Sequence, residues 1–208
     1  MRDRRRRVRG GSRRAAARLA AVLATALAWG APTPARALVG DLTPDGIREA
    51  IDAGVAAVTQ EDFGEEWQIQ LPGGEDIVVS TPFSRLALTA RQVATKGEIL
   101  TEKQQKEQID RGKGRIQLLI TMHGGPSRTF ARFYTPVLMV GSTEIKASFV
   151  QNERTPIPED DGRLAARNVY VFPLEGLPKD GSVTLVVRDA PPEQKEVLRA
   201  KLDLGKFR

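Results

Sequence analysis

The sequence offers few side chains for catalysis or metal binding, and they lie in two places. The chain has one histidine, His123, and no cysteine, which excludes a thiol nucleophile and a thiolate metal site. The other place is the acidic loop Glu159-Asp160-Asp161-Gly162. Clustered carboxylates suit hard cations, so calcium is the candidate cofactor. The spacing differs from the Asp-x-Asp-x-Asp-Gly pattern of calcium loops, so we expect Glu159, Asp160 and Asp161 to be solvated and to bind no metal.

His123 is followed by Gly124-Gly125-Pro126 at the end of an apolar run. This sequence is similar to the His-Gly-Gly oxyanion loop of lipase-like hydrolases. Such a hydrolase also needs a Gly-x-Ser-x-Gly serine and a further histidine as base, and the chain has neither. Ser127 is near in sequence, but no pattern marks an orienting partner or an oxyanion site. We therefore predict a glycine-rich hairpin loop between strands 115–122 and 129–140 and no catalytic residue, with His123 as the candidate base.

A further acidic stretch, Glu61-Asp62 and Glu65-Glu66, lies beside Trp67. Two carboxylates that face each other across a cleft can hydrolyse a glycosidic bond. Nothing in the sequence places other carboxylates opposite this stretch, so we interpret it as a solvated linker. His123 and the carboxylates together leave an exported hydrolase as an alternative function.

The first 37 residues are typical of an export signal. Arginines crowd residues 1–14, an uncharged apolar run covers 19–30, and Ala35-Arg36-Ala37 provides a small-x-small cleavage triplet. The apolar run is shorter than the roughly 20 residues of a membrane-spanning helix. We therefore predict a cleaved signal peptide at 1–37, no transmembrane span in the mature chain, and a periplasmic or extracellular location. Ser12-Arg13-Arg14 begins like a twin-arginine signal but lacks the apolar pair, so export of the unfolded chain is the default and twin-arginine export the alternative.

Removal of this leader reverses the sign of the net charge. The whole chain is +6, but residues 1–37 hold ten of the 32 basic residues and one of the 26 acidic residues. The remaining 171 residues therefore carry a net charge of −3. Nucleic-acid binding needs a concentrated basic face, and this composition gives no reason to expect it. The length suits one domain, 38–208, which packing must stabilise without disulfides.

Three helices are predicted in the first half of the mature chain. Thr43-Pro44 begins a helix over 43–60, with Thr43 as N-cap. Thr81-Pro82 begins another helix, and the capping-box pattern at Thr101 begins a third, polar and exposed helix. The pair forms a helical insertion at 82–111 between strands, with a strand over 82–96 as the alternative. The apolar stripe of the first helix consists of Ile47, Ile51, Val55 and Val58.

The remaining segments alternate apolar and polar residues as strands of antiparallel sheets do. Strands 66–71 and 76–80 flank a Pro-Gly-Gly turn and predict a hairpin, and Gly141-Ser142 predicts another. Within the predicted strand 129–140, Phe130 and Tyr134 share one face and Phe133 lies on the other. The other predicted strands cover 115–122, 143–150, 168–172, 182–188 and 197–204.

About eight short strands with turns between them predict a mainly β fold, with an α+β class as the alternative. We expect an antiparallel, immunoglobulin-like β-sandwich with an N-terminal helix and a two-helix insertion. The poverty in catalytic side chains favours a non-enzymatic module that binds a protein or a component of the cell envelope. The alternatives are the exported hydrolase and a structural envelope component that assembles through its strand edges. No motif identifies the ligand or partner.

Overall fold

The computed structural model describes residues 41–125 and 127–207, so the predicted signal peptide lies outside the described residues. The helices are α1 (Pro44–Ala56), α2 (Pro82–Thr95) and α3 (Glu102–Gly112). Short 3₁₀ turns cover Glu65–Trp67 and Leu204–Lys206. The strands are β1 (Gln68–Gln70), β2 (Asp76–Ser80), β3 (Arg115–Gly124), β4 (Thr135–Val140), β5 (Thr143–Lys146), β6 (Phe149–Gln151), β7 (Ile157–Pro158), β8 (Leu164–Pro173), β9 (Ser182–Arg188) and β10 (Glu196–Asp203).

The strands form two antiparallel sheets. Sheet A has the order β1-β2-β3-β8-β6, and β7 also pairs with β8. Sheet B has the order β10-β9-β4-β5. The predicted mainly β class is therefore confirmed, and so are the two predicted hairpins, β1–β2 and β4–β5. Gly141 turns the β4–β5 hairpin with a φ of +59°, a left-handed conformation that glycine adopts without strain.

Both sheets and α2 contribute to one hydrophobic core. Successive side chains of a strand point to opposite faces, so every other residue of β3 and β8 enters the core. Burial of each large apolar side chain contributes roughly 1.5–3 kcal/mol relative to exposure. Fully buried members are Ile77, Ile116, Leu118, Ile120, Tyr170 and Phe172 of sheet A, Leu138, Leu185 and Leu202 of sheet B, and Leu86 of α2.

The segment after β2 is a helix and not a strand. Thr81 Oγ1 accepts a hydrogen bond from the Ser84 N–H at 3.1 Å, and Ser84 Oγ accepts one from the Thr81 N–H at 2.9 Å. These two bonds form a capping box, and Pro82 occupies the first turn, where its missing N–H costs nothing. Helices α2 and α3 lie in sequence between β2 and β3, which are neighbours in sheet A.

Helix α1 packs against α2 through small residues and ends at Ala56, before the predicted end at 60; of the predicted apolar stripe, Ile47 and Ile51 are partly buried against the core. Its buried residues are Gly46, Ala50 and Gly54, whereas Val55 is half exposed. A Cβ on Gly54 would lie 2.1 Å from the carbonyl oxygen of Ala87, so only glycine permits this approach. The helices meet closely because one of them lacks a side chain at the crossing.

The predicted strand 129–140 and its hairpin with 115–122 are wrong. Residues 128–133 form turns, and the strand is limited to β4, which lies in sheet B while β3 lies in sheet A. The loop after His123 therefore passes from one sheet to the other. The rings of Phe130 and Tyr134 still pack together, with centroids 6.3 Å apart, and Phe133 is exposed.

The predicted strand 143–150 is divided between the sheets. Its first part is β5 of sheet B, and its last part belongs to β6 of sheet A. The chain crosses at Ser148, whose N–H and Oγ both donate to the Val171 carbonyl, at 2.7 and 3.1 Å. Two hydrogen bonds to one carbonyl fix the point at which β6 joins sheet A.

Candidate functional site

The face of sheet A that points away from the core carries the candidate residues, and we call it the outer face. The strand register places His123, Ala165 and Ile157 in one row across its upper end. It places Arg115 beside Pro173 at the opposite end. We name these regions the His123 end and the Arg115 end. The predicted catalytic and metal-binding candidates lie at the former.

The structure brings His123 and the acidic loop together. His123 Nε2 lies 3.1 Å from Oε2 and 3.3 Å from Oε1 of Glu159, and the histidine side chain is only 10% exposed. The neighbouring carboxylate also has a partner, because Arg163 Nε donates to Asp161 at 2.6 Å and the Arg163 N–H donates at 2.9 Å. The backbone and then the side-chain hydrogen bonds from Arg163 hold the pKa of Asp161 below its ordinary value.

Two turns position this end of the sheet. The Glu159 N–H donates to the Arg163 carbonyl at 2.9 Å, and this turn between β7 and β8 carries Glu159 to the imidazole. Gly74, in the β1–β2 turn, lies on the other side, where a Cβ would be 4.0 Å from His123 Nδ1. His123 Nδ1 is buried and has no hydrogen-bond partner among the described residues. The imidazole is therefore held between a carboxylate and a backbone turn.

This arrangement orients an imidazole but supplies no nucleophile to it. Ser127 Oγ forms its hydrogen bond with Thr129 Oγ1 at 3.1 Å and has none with His123. Gly124 has a packing role, because a Cβ there would lie 2.4 Å from the ring of Phe130. The similarity to an oxyanion loop therefore has a simpler basis: a glycine is needed where an aromatic ring packs on the strand.

The metal-binding candidates do not form a cluster around a shared point. Glu159 pairs with His123 and Asp161 with Arg163, while Asp160 is exposed. Among residues 41–125 and 127–207, no three histidine, aspartate or glutamate side chains are grouped so that they could hold a metal ion. The other acidic stretch, 61–66, is largely exposed, with Phe63 and Trp67 stacked edge to face at 5.3 Å beside it.

A buried polar network that the sequence did not reveal anchors the chain directly after β6. Asn152 Nδ2 donates to the Tyr134 carbonyl at 2.9 Å, and Asn152 Oδ1 accepts from the Tyr170 hydroxyl at 3.0 Å. The Glu153 N–H donates to Oδ1 of the fully buried Asn168 at 3.0 Å. Burial raises the pKa of Tyr134 to about 12, with a further contribution from the Asp189 charge. The pKa of Tyr170 also rises on burial. These bonds hold the end of β6 in a fixed position.

The Arg115 end differs from the His123 end in its charge. Four basic residues gather there: Arg85, Arg111, Lys113 and Arg115. Arg85 donates to Gln117 Oε1, and its pKa is lowered by burial and then by the charges of Arg111 and Arg115. No described carboxylate lies within 4.0 Å of any of these four cationic groups. Three of the four stand close together in the sequence at 111–115, and Arg85 joins them from α2, which no sequence pattern indicated.

A groove of about 490 Å³ lies beside this basic cluster. Lys113 and Arg115 form its charged side, and Phe149 and Val171 form its apolar side. Phe149 begins β6, which pairs with β8 on one side only and ends the strand order of sheet A. The groove therefore joins a basic cluster to a free strand edge.

Comparison with protein-family models finds no match to this sequence. Comparison with curated proteins finds no significant similarity either. Within the described part of the chain, no helix combines the length and apolar character that crossing a membrane requires. The features of the molecule that bear on function are therefore the side chains and the free edge of sheet A.

Proposed function

We propose that this protein is an exported, non-enzymatic module that binds another protein by accepting an extended segment at the β6 edge of sheet A. The observation that carries the proposal is the exposure of β6: all three of its residues are exposed, with Phe149 at 51% and Val150 at 42%. The outward N–H and C=O groups of an edge strand form a template for one more strand.

The other strand edges carry features that discourage pairing. In sheet B, β5 carries Glu144 and Lys146, and β10 carries four charged residues. In sheet A, β1 presents two glutamines and the short β7 ends in a proline. Charges and proline are the usual means by which edge strands avoid association. Strands β1 and β6 carry neither, but β1 presents two glutamines whereas β6 presents the exposed apolar residues Phe149 and Val150, so the β6 edge is the one that we expect a partner to use.

The anchoring of β6 supports the same proposal. Ser148 fixes the beginning of the strand to Val171, and Asn152 fixes its end to Tyr134 and Tyr170. A preorganised edge loses little conformational entropy when a partner strand binds. By contrast, the hydrolase alternative has only the His123–Glu159 pair in its support, without a nucleophile.

The finer parts of the proposal come from the sequence. The basic, apolar and small-residue regions of 1–37 support export to the periplasm or beyond. The two antiparallel sheets with a shared core support an immunoglobulin-like sandwich. N-terminal sequencing of the natural protein tests export: we expect a chain that begins near Leu38, and retention of Met1 in a cytosolic protein would overturn it.

Edge binding can be tested with two matched valines. Val150 lies on β6, and Val197 lies on the exposed edge strand β10 of sheet B. A photoreactive residue at position 150 of the full chain, expressed in its native host, should crosslink to a single protein partner, and one at position 197 should not. Val150→Lys should abolish the interaction with that partner in purified form, while Val197→Lys preserves it.

The outcomes separate the proposed function from its alternatives. Equal crosslinking from both positions, or full retention of binding by Val150→Lys, would overturn the β6 edge as the binding site. A crosslink from position 150 to a further copy of this chain would instead support the structural component that assembles through strand edges. Sedimentation of the wild type and of Val150→Lys distinguishes the two, because only self-assembly makes the wild type concentration-dependent.

A further inference from the structure

The register of sheet A determines which part of a bound segment meets the basic cluster. Phe149 lies opposite Val171, which lies opposite Gln117, so these three residues form one row on the outer face. Arg85 bonds to Gln117, and Arg115 lies one row further, beside Pro173. Strand β8 separates β3 from β6, so Arg115 lies across β8 from the N-terminal end of β6, and the groove on the outer face connects the two.

Strand direction then fixes the orientation of the partner. Every pairing among the described strands is antiparallel, and an added strand that continues the pattern runs opposite to β6. The C-terminal part of such a segment would lie at Phe149 and would enter the groove between Phe149 and Arg115. The preceding part would lie along Val150 and Gln151.

Charge indicates what that C-terminal part must carry. Like charges in the basic cluster repel one another without compensation from a described carboxylate, and Arg85 is half-buried. Carboxylates supplied by a ligand would relieve this repulsion and would form charge-assisted hydrogen bonds with the guanidinium groups. The groove also has an apolar side, formed by Phe149 and Val171, which suits a neighbouring apolar side chain.

We propose that the segment bound at β6 is an antiparallel strand with alternating apolar residues and an acidic C-terminal end, whose carboxylates bind Arg115 and its basic neighbours. This inference rests on the proposed function, since it specifies the occupant of the same edge. A free anion or a lipid headgroup would use the basic cluster alone, whereas a peptide strand uses the cluster, the groove and the free edge together.

Three synthetic peptides with the same alternating valine–threonine body test the inference on the full chain. One carries two glutamates at its C-terminal end, one carries them at its N-terminal end, and one carries two lysines at its C-terminal end. By calorimetry or fluorescence anisotropy, the first should bind about tenfold more tightly than the second, since charge-assisted hydrogen bonds form only in one orientation. The lysine peptide should bind most weakly, and added salt should reduce the difference.

Two variants assign the effect to residues. Arg115→Gln should remove most of the preference for C-terminal glutamates over N-terminal glutamates. Val150→Lys should weaken all three peptides. Arg115 is exposed, so its variant should fold, and an unchanged melting temperature verifies this.

The results separate this inference from the proposed function. All three peptides could bind the wild type equally and fail to bind Val150→Lys. This result would overturn the requirement for an acidic C-terminal end and would retain the β6 edge as the binding site. If no peptide binds, the inference is overturned. The crosslinking at position 150 would then show independently whether the β6 edge binds a partner. Binding to phosphatidylglycerol vesicles is the last outcome. If Arg115→Gln removes this binding and the acidic peptide does not displace the vesicles, the basic cluster binds a lipid headgroup and the proposal of an acidic peptide strand is overturned.

Discussion

The two ends of the outer face of sheet A differ in the charges they carry and in how those charges are partnered. At the His123 end, His123 pairs with Glu159 and Asp161 pairs with Arg163. At the Arg115 end, the basic cluster has no described carboxylate within ion-pair distance. The end that carries the histidine and the acidic loop has its carboxylates paired within the fold, although His123 Nδ1 stays without a described partner, while the other end has basic groups without a described carboxylate in ion-pair distance.

This difference in charge pairing indicates which end of the sheet has groups free to bind a ligand. A side chain of catalytic type attracts attention, but its hydrogen bonds are made within the fold at the His123 end. An uncompensated cluster of like charge carries a cost in stability that a ligand can remove. We therefore place the candidate binding site beside Arg115 and not beside His123. Variants at the two ends test this contrast.

The largest expected effect concerns the packing of the His123 end. Gly124→Ala would bring a Cβ within 2.4 Å of the Phe130 ring, which must shift or force the strand away. We expect a loss of about 1–3 kcal/mol in the free energy of unfolding, typical of overpacking. Gly125→Ala is the control, since a Cβ there meets nothing within 4 Å. Urea unfolding of both variants measures the difference, and equal stabilities would contradict the packing role of Gly124.

A direct comparison of the two ends gives the next effect. His123→Ala removes a nearly buried ring and leaves Glu159 without its partner, so we expect a loss of about 1–2 kcal/mol. Arg115→Gln should change stability by less than about 0.5 kcal/mol, as exposed substitutions usually do. Thermal and urea unfolding under one condition compares them. If the two variants lose the same free energy of unfolding, the side chains at the two ends do not differ in how strongly they are tied into the fold.

The acid dependence of stability isolates the Asp161–Arg163 pair. The pKa of Asp161 is lower in the folded protein than its ordinary value of 3.8. Its contribution is therefore fully present above that value and is lost as the pH falls through the folded value, where the carboxylate takes up a proton. Asp161→Asn should be less stable than the wild type at neutral pH, and the gap should close below about pH 4. Unfolding curves of this variant and of Asp160→Asn across the acid range check it.

The smallest effect should appear at the Arg115 end. Arg111→Gln removes one of the charges that lower the pKa of Arg85. Relief of this repulsion at a partly exposed site should raise the free energy of unfolding by about 0.5 kcal/mol or less. The variant should also gain less from added salt than the wild type does. A clear loss of stability at low salt would mean that Arg111 has a favourable partner and that the basic cluster is compensated.

Local features of the fold followed from the sequence, and connections between sheets did not. Thr81 and Thr101 predicted the starts of α2 and α3, because capping depends on residues within one turn. Strand 182–188 was predicted with the observed limits. Alternation also predicted a strand over 143–150, but alternation is the same in either sheet and cannot indicate where the chain crosses. The hydrogen bonds of Ser148 that fix the crossing involve a strand more than twenty residues away.

The sequence indicated single residues of the candidate site but not which of them lie together. His123 and Glu159 were both singled out, but they are 36 residues apart and no motif indicated that they form a pair. No local pattern indicated that Gly54 lies at a helix crossing, where its missing side chain makes the contact with α2 possible. The run Arg111-Gly112-Lys113-Gly114-Arg115 is visible in the sequence, but nothing local showed that Arg85 joins it or that a groove lies beside it. Tertiary proximity of this kind has no local signal.

The late position of β8 in the chain has a consequence for biosynthesis. Strand β3 pairs with β2 on one side, but its other neighbour ends only at Pro173. A nascent chain that has not yet reached this residue presents an open hydrogen-bonding edge beside Leu118 and Ile120, which later lie in the core. Such intermediates aggregate readily. A holding chaperone that shields the first two thirds of the polypeptide would therefore improve its yield.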